Sequence, residues 1–340
     1  MDTLMEDRFA TLPERIYVWS FPLWKWRYVR RCFPGHHLHF VDSARSIRPH
    51  SALLLWGITP VPEGLPEDTQ IWRMEDGFLR SVGLGAELVR PLSWVVDRQG
   101  IYYDARSPSE LETLLQTAAF DPAELTRAAR LRERIVAQGI SKYNVGKNAW
   151  QRPKGAERVL LVPGQVESDA AIACATPCVR GNLRLLQQVR EENPDAYILY
   201  KPHPDVEAGL RALGQNENKA QQYCDEVLRD VPMESLLDQV DEVHTLTSLT
   251  GFEGLLRGRV THCYGQPFYA GWGLTVDHCP LPRRSRVLDL DALVAGTLLR
   301  YPLYIGRRGP IAAETALDEL IFLKQQSQGH TSWWREPYRW

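Results

Sequence analysis

The chain has 340 residues, with 40 lysines and arginines against 42 aspartates and glutamates, and a formal net charge of −2. Such a balance excludes the strongly basic surface that general nucleic-acid binding requires, so we expect no nucleic-acid partner. At this length, usual domain sizes predict two domains with a cleft between them.

The sequence shows no sign of export or membrane insertion. Residues 1–7 are acidic and do not form a secretory signal, and no run reaches the roughly 20 apolar residues of a membrane span. The cysteines have neither a CxxC pair nor a zinc-ligand spacing: Cys32, Cys174, Cys178, Cys224, Cys263 and Cys279. We therefore expect free, buried thiols in a cytoplasmic protein.

The first 150 residues alternate short apolar runs with amphipathic stretches, a pattern typical of an α/β fold. Strands are predicted at 16–19, 37–41, 52–56, 70–74 and 94–97. A helix is predicted to begin at Ser109, and a long charged helix is predicted over 122–139.

Residues 17–34 interleave aromatic and basic side chains. One interpretation is a peripheral contact with the inner membrane. The other is a first strand followed by a helix whose aromatic side chains pack inward, which general experience with such segments favours. A second aromatic and basic cluster at 333–340 could be a tail that docks on the same lobe.

Residues 140–156 lose this periodicity and predict a linker. A second α/β unit follows, with strands predicted at 158–162, 196–200, 242–246 and 260–264 and helices at 180–192 and 312–326. We predict an N-terminal lobe at 1–150, a second lobe at 151–310, and a helix and tail at 311–340 that cross back to the first lobe. The order of strands and helices favours a mostly parallel sheet with ligands at the strand C-terminal ends.

Polar side chains follow the predicted strands, where such a sheet presents its loops to a ligand. Glu75 and Asp76 precede a glycine, and Asp169 lies in a polar turn. His203 stands between two prolines, and a hydroxyl-rich turn at 247–250 leads into a helix whose N-terminal amides suit a phosphate.

Each feature also has a purely structural interpretation. The acidic pair could be a simple turn, and the residues around His203 could form a rigid strand exit. Asp169 could cap the following helix, and the 247–250 turn could be an ordinary helix N-cap. A single feature of this kind could arise by chance, but four of them at successive strand ends coincide by chance much less often.

The chain resembles bacterial capsule β-Kdo transferases of the KpsC type from about residue 19 to residue 323. The runs that carry the resemblance are 75–81 with 83–85, 100–104, 164–169, 201–205, 245–253 and 264–273. The resemblance implies an α/β, GT-B-like fold of two Rossmann-like lobes around a central cleft. The first lobe would hold the acceptor, and the second would bind the donor, CMP-Kdo.

The resemblance also implies a Kdo-terminated glycolipid acceptor and retention of the β configuration. Retention generally takes two displacements, first by an enzyme carboxylate and then by the acceptor hydroxyl. On the family pattern, Asp169 is the nucleophile and Glu75 the base, with Asp76 as the alternative base. The segment 86–94 is more similar to modules that form the β-2,7 linkage than to those that form β-2,4.

The remaining expected site residues bind the substrates. Charge neutralisation of the CMP leaving group and other donor contacts are expected from Gln165, Lys201, His203, Pro204, Ser248 and Thr250. Glu253 is expected to accept hydrogen bonds from ribose hydroxyls. Arg80 or Arg73 is expected to hold the Kdo carboxylate. We expect no cofactor and no metal in the transfer, because no ligand cluster has metal-site spacing.

Two other functions remain open from the residues. An inverting transferase for another CMP-activated acidic sugar, such as sialic acid, would use the acidic pair and His203 but would not need Asp169. A catalytically inactive module that binds capsule lipid or scaffolds an export complex belongs to a different class. The intact carboxylates and His203 argue against it.

Overall fold

The computed structural model of the protein describes residues 12–83 and 89–329. Residues 1–7, residues 84–88 and the aromatic cluster at 333–340 lie outside the described residues. In the described part of the chain no helix is both long and apolar enough to cross a membrane.

The first sheet has seven strands, which lie in the spatial order β13-β12-β5-β4-β3-β1-β2. Their bounds are β1 Arg15–Trp19, β2 His37–Val41, β3 Ala52–Trp56, β4 Gln70–Asp76, β5 Ser93–Asp97, β12 Pro302–Ile305 and β13 Pro310–Ile311. The strands β1 to β4 are parallel, whereas β5, β12 and β13 are each antiparallel to their neighbours. The five strands predicted in this half are confirmed.

The second sheet has six strands in the order β11-β10-β9-β6-β7-β8, and every pairing in it is parallel. Their bounds are β6 Val159–Pro163, β7 Tyr197–Lys201, β8 Glu226–Val227, β9 Glu242–Thr245, β10 Val260–Cys263 and β11 Val276–Asp277. The four predicted strands and the parallel arrangement are confirmed. The two sheets with their helices make the α/β class that the periodicity predicts.

Ten helices accompany the sheets in the described residues. They are α1 Leu23–Cys32, α2 Glu110–Thr117, α3 Pro122–Ala137, α4 Ala170–Ala175, α5 Asn182–Glu192, α6 Pro204–Glu207, α7 Met233–Leu237, α8 Leu249–Leu256, α9 Leu290–Val294 and α10 Ala313–Gly329. The chain continues from α9 as a π-helical segment, Ala295–Arg300, and short 3₁₀ turns occur at Ala44–Ser46 and Glu217–Gln222. The predicted start at Ser109 is confirmed, because its side chain accepts from the Glu112 amide at 3.1 Å.

The aromatic and basic segment forms β1 and α1, as the inward-packing interpretation predicts. Tyr28, Val29 and Cys32 of α1 are buried against the first sheet, and Trp26 stacks on Phe40 with ring centroids 4.1 Å apart. The outer face of the helix nevertheless leaves Leu23 75% exposed.

The chain returns to the first sheet before residue 311. The strands β12 and β13 lie in the range predicted for the second lobe, yet they extend the first sheet beyond β5. The pattern did not reveal this return, because four-residue and two-residue strands carry little periodicity. Helix α10 then contacts α3 through the Arg127–Glu314 ion pair at 2.7 Å.

One apolar core joins the two lobes. Phe78, which follows β4, has its ring centroid 4.6 Å from that of Phe268, which follows β10. It also lies 6.4 Å from Phe252 of α8. These side chains belong to one cluster of buried residues that continues into α3, α9 and α10.

A disulfide joins Cys178 to Cys279, so the expectation of six free thiols is wrong for this pair. The two residues are 101 positions apart and lie in loops beside the second sheet. Spacing along the chain cannot reveal such a pair, because only the fold brings the loops together. The other four cysteines are free and buried, as expected.

Candidate active site

A cleft of about 860 Å³ lies between the lobes, at the C-terminal ends of β3, β4, β6, β7 and β9. It is lined by eleven of the twelve residues that the sequence singles out: Glu75, Asp76, Arg80, Gln165, Asp169, Lys201, His203, Pro204, Ser248, Thr250 and Glu253. Parallel strands bring their carboxyl ends to the same edge of a sheet, so residues far apart in sequence meet here.

Arg73 is the twelfth residue and is not among those that line the cleft. Its guanidinium donates to the carbonyl oxygens of Gly57 at 2.6 Å and Thr59 at 2.9 Å. It therefore fixes the turn after β3. That turn needs a glycine at position 57. The φ of Gly57 is +50°, and a Cβ on this residue would lie only 2.4 Å from the hydroxyl oxygen of Tyr103.

Glu75 and Asp76 end β4, and their environments differ. Burial, reinforced by the Asp76 carboxylate, raises the pKa of Glu75 to about 7, although Lys25 partly offsets this. Burial also opposes ionisation of Asp76, but the guanidinium of Arg80 holds its pKa below the ordinary value. Glu75 can thus exchange a proton near neutral pH, whereas Asp76 stays ionised.

Arg80 is committed to that role. Its Nε donates to Asp76 Oδ2 at 2.6 Å and its Nη1 to Ser81 Oγ at 2.8 Å. The other Asp76 oxygen, Oδ1, is buried and has no hydrogen-bond partner among residues 12–83 and 89–329. A buried carboxylate oxygen without a donor is costly, so Asp76 is suited to accept a hydrogen bond from a bound hydroxyl group.

Asp169 occupies the N-cap position of α4, but its side chain makes no capping hydrogen bond. The carboxylate is instead 48% exposed at the cleft, with Oδ1 3.9 Å from Nη2 of Arg211. Burial raises its pKa, while Arg211 and Lys142 oppose the shift. The capping interpretation thus does not account for this carboxylate.

His203 precedes α6, and its Nδ1 accepts from the Asp205 amide at 3.1 Å. Burial lowers the pKa of His203 to about 4, with help from Lys142 and Arg211. The ring is therefore neutral at physiological pH. Because Nδ1 is an acceptor, the proton is on Nε2, and the side chain offers one N–H donor.

The N-terminus of α8 faces the cleft at the end of β9. Ser248 Oγ accepts from the Thr250 amide at 3.2 Å and caps the helix. Gln165 holds the turn before it, because Nε2 donates to Thr247 Oγ1 and Oε1 accepts from the Thr247 amide, both at 2.9 Å. The second lobe thus presents a fixed helix N-terminus, which favours a negative group.

Glu253 of α8 is buried, and its Oε1 accepts from the Lys142 amide at 2.7 Å. Burial raises the pKa of Glu253 to about 7. One of its oxygens thus holds the segment that connects the lobes.

The cleft also holds cations that the sequence analysis does not single out, namely Lys25, Lys142 and Arg211. Lys25 is buried on α1, where burial lowers its pKa to about 8 against the attraction of Asp76 and Glu75. Lys142 keeps a pKa above the ordinary value, because Tyr143 and Asp76 outweigh its burial. In the sequence, Lys25 was a basic residue in an aromatic segment and Lys142 a basic residue in a linker. Arg211 had no such signal.

One further group of ligand-type side chains lies outside the cleft. Glu242, His244 and His262 place their ligand atoms within 4.8 Å of one another. None of the three lines the cleft. Their spacing along the chain gives no sign of this cluster, because it depends on the pairing of β9 with β10.

Comparison with known protein families and sequences gives a consistent result. The model for capsule polysaccharide biosynthesis proteins matches residues 66–146 and 122–304. The capsule polysaccharide modification protein LipA of Neisseria meningitidis is 44% identical over 93% of this chain and 46% of its own length. The lipopolysaccharide-processing protein LpsZ of Rhizobium meliloti is 42% identical over 77% of this chain and 61% of its own. The chain thus spans about half the length of these curated relatives.

Solved structures match over nearly the whole chain. The β-Kdo 2,7 transferase of Thermosulfurimonas dismutans KpsC is 40% identical, with a TM-score of 0.77 over 91% of this chain and 99% of that one. The β-Kdo 2,4 transferase of the same protein is 31% identical, with a TM-score of 0.78 over 92% and 98%. The resemblance to KpsC-type proteins and the GT-B-like fold are both confirmed.

Proposed function

This chain belongs to the capsule polysaccharide biosynthesis protein family, and from that premise we propose that it is a retaining β-Kdo transferase. The donor is CMP-Kdo, and the acceptor is a Kdo-terminated glycolipid that becomes the linker of a capsule polysaccharide. The similarity to the two KpsC transferase structures supports this reaction class.

The observation that carries the mechanism is that the Asp169 carboxylate lies in the cleft and makes no hydrogen bond to cap its helix. In the first step an Asp169 oxygen attacks the anomeric carbon of Kdo, and the bond from that carbon to the CMP phosphate oxygen breaks. CMP leaves as an anion and needs no proton. Three groups that line the same cleft stabilise the negative charge of the leaving CMP. Lys142 and Lys201 offset the charge, and the neutral His203 ring donates a hydrogen bond from its N–H.

In the second step the acceptor hydroxyl attacks the same carbon and frees the Asp169 carboxylate. Glu75 takes the hydroxyl proton, for which a pKa of about 7 is suitable. Asp76, held ionised by Arg80, accepts a hydrogen bond and positions the sugar. Two inversions at one carbon restore the β configuration.

The groups that bind the donor come from the second lobe. The N-terminus of α8, with Ser248 and Thr250, receives a negative group of CMP-Kdo. Glu253 accepts hydrogen bonds from the ribose hydroxyls through the oxygen that Lys142 does not use. Lys25 and Arg211 are additional candidates to hold the Kdo carboxylate, because Arg80 already binds Asp76 and Arg73 lies outside the cleft lining.

We also propose the β-2,7 linkage. The identity to the 2,7 transferase is 40%, against 31% for the 2,4 transferase, whereas the TM-scores of 0.77 and 0.78 do not separate them. Product analysis by NMR would decide, because the linked carbon shifts downfield; a substituted O4 would contradict the proposal.

A peripheral membrane contact would bring the glycolipid to the cleft. Helix α1 fits this role, since Trp24 and Lys25 line the cleft while Leu23 and Arg27 are exposed. Sedimentation with anionic vesicles tests it: Leu23→Ser together with Arg27→Ser should reduce the bound fraction. Equal binding of the wild type and this variant would exclude α1 as the contact.

Intact mass spectrometry tests the reaction. The protein is incubated with CMP-Kdo, with and without a synthetic Kdo-terminated acceptor, in the presence of EDTA because we expect metal-independent transfer. We expect a mass gain of one Kdo that disappears on adding acceptor. The gain should be absent in Asp169→Ala and present in Asp195→Ala, a control at an exposed aspartate of the same lobe.

The other outcomes identify the alternatives. Turnover without an adduct that persists in Asp169→Ala removes Asp169 as nucleophile and favours an inverting transferase. A protein that neither turns over nor releases CMP is a binding module.

A further inference from the structure

The pairing of β9 with β10 places three ligand-type side chains on one face of the second sheet. Glu242 and His244 are two residues apart on β9, so their side chains point to the same face. His262 of β10 is the register partner of His244. Two strands thus present a carboxylate and two imidazoles side by side.

Both imidazoles approach one oxygen. His244 Nε2 lies 2.9 Å and His262 Nε2 lies 3.4 Å from Oε2 of Glu242. Ligands at zinc distances of 2.0–2.2 Å in a tetrahedron are about 3.3 Å apart. The two separations are close to that value. The three side chains are also mostly shielded from solvent, and His244 is fully buried.

Arg158 completes the surroundings of the carboxylate. Its Nε donates to Oε1 of Glu242 at 2.5 Å and its Nη2 donates to Oε2 at 2.8 Å. This two-point contact fixes the carboxylate, and Oε2 keeps a second lone pair for another partner.

Two imidazoles and one carboxylate are a ligand set that a divalent metal accepts. A neutral imidazole with an available lone pair is the form that binds a metal. The ligand atoms of the three side chains lie within 4.8 Å of one another, so one cation between the two Nε2 atoms and Oε2 can be held by all three.

We propose that Glu242, His244 and His262 form a binding site for a divalent transition metal, with Zn²⁺ as the ion that two imidazoles and one carboxylate suit best. The ligands are Oε2 of Glu242 and Nε2 of each histidine, and water completes the tetrahedron. The site lies outside the cleft lining, so the metal joins β9 to β10 and takes no part in the transfer step.

The surroundings already provide the outer contacts of such a site. His244 Nδ1 lies 3.2 Å from Tyr264 Oη, and His262 Nδ1 lies 3.0 Å from Nε2 of His278. Each ligand ring thus has an acceptor for its second N–H, which fixes the tautomer that binds through Nε2. Arg158 orients the carboxylate of Glu242 through its contacts with both oxygens, including the ligand atom Oε2.

Binding requires one local movement. The rings of His244 and His262 are stacked, with centroids 4.2 Å apart and planes inclined by 11°. A metal must lie near the plane of each ring it binds, so one ring has to tilt. We expect His262 to tilt, because its side chain is 17% exposed, against 1% for His244.

The experiment uses the full chain after removal of metal by a chelator and titration with Zn²⁺ alone at about pH 7.5, where the ligands are deprotonated. Calorimetry should give one Zn²⁺ per chain, and the melting temperature should rise with Zn²⁺ concentration. Co²⁺ in place of Zn²⁺ should give the visible absorption of a tetrahedral site. The variant His262→Ala should bind at least about tenfold more weakly.

The control is His37→Ala, at an exposed histidine of the first lobe, which should bind Zn²⁺ as the wild type does. Circular dichroism of His262→Ala checks that the variant is folded. A wild-type chain that binds no more Zn²⁺ than His262→Ala overturns the proposal. Transfer is measured with EDTA present, so a failure of the Zn²⁺ proposal does not affect the transferase proposal, and the reverse also holds.

Discussion

Glu75 and Asp76 show how neighbouring carboxyl groups acquire different chemistry from their surroundings. They share a cleft and the charge of Lys25. Only Asp76 has a guanidinium at 2.6 Å, so the pair holds its negative charge on Asp76 and leaves Glu75 to titrate near neutrality. The proposed division of roles between base and sugar ligand rests on one arginine, Arg80.

The pH dependence of transfer tests this division. A base with a raised pKa of about 7 must lose its proton to accept one from the acceptor hydroxyl. The kcat/KM for the acceptor should therefore rise as pH increases through about 7 and then level off. Glu75→Gln should lower kcat by about 10²–10⁴-fold and abolish that rise. A pH profile of steady-state transfer, from about 5.5 to 9, measures both effects.

The matched control is Glu63→Gln, at an exposed glutamate of the same lobe, which should keep the wild-type profile. A Glu75→Gln variant that keeps the rise near pH 7 would assign the base to another group. Asp76 would not then be the obvious replacement, because Arg80 holds its pKa below the ordinary value.

At the scale of elements, strand ends and helix starts position the site, and these were the parts that the sequence could predict. Apolar runs fix where β4, β6, β7 and β9 end, so the polar residues near those ends were correctly expected at strand C-terminal ends, which in the structure belong to two facing sheets. Local pattern says nothing of pairing between strands. It therefore did not predict β12 beside β5, or His262 beside His244.

Individual side-chain roles were less predictable for a related reason. Arg73 is two residues before Glu75 and on the same face of β4, yet its guanidinium is taken up by the backbone carbonyls of Gly57 and Thr59. Lys25 and Lys142 reach the cleft from a helix and a linker, where nothing in their neighbourhood marks them. Proximity in sequence was a poor guide to which cation faces the ligand.

Glu112 of helix α2 forms ion pairs with two arginines of the second lobe. Glu112 is 7% exposed, and its carboxylate accepts from Arg283 and from Nε of Arg284, the latter at 2.9 Å. Glu112→Ala would leave the buried Arg284 without its counter-charge. Such losses cost about 3–5 kcal/mol, so we expect a marked fall in melting temperature.

The control for this change is Arg106→Ala, which removes an ion pair to Asp104 from a side chain that is largely exposed. An exposed pair contributes about 1 kcal/mol or less, so its melting temperature should hardly change. Thermal unfolding followed by circular dichroism compares the two. Equal effects of both changes would show that Glu112 contributes no more than a surface pair.

At the scale of the whole molecule, the two lobes share a core. Phe78 is 3% exposed and packs against Phe268 and Phe252 of the second lobe. We therefore expect the lobes to unfold together and any closure of the cleft to preserve this apolar contact.

Calorimetry tests the shared core. We expect one cooperative unfolding transition for the whole chain, because neither lobe buries its apolar surface alone. Phe78→Ala should lower the free energy of unfolding by about 3–5 kcal/mol. Phe322→Ala, at a side chain 58% exposed on α10, should leave the transition unchanged. Two well-separated transitions in the wild type would show that the lobes unfold independently.

The return of the chain to its first sheet also sets the order in which the protein can be completed on the ribosome. The edge of β5 is covered by β12, which is made more than 200 residues later. Until then the nascent first lobe presents an unpaired strand edge while the entire second lobe is synthesised. We therefore expect the first lobe to be exposed to pairing with other chains during translation, and a chain released before residue 305 would keep that open edge.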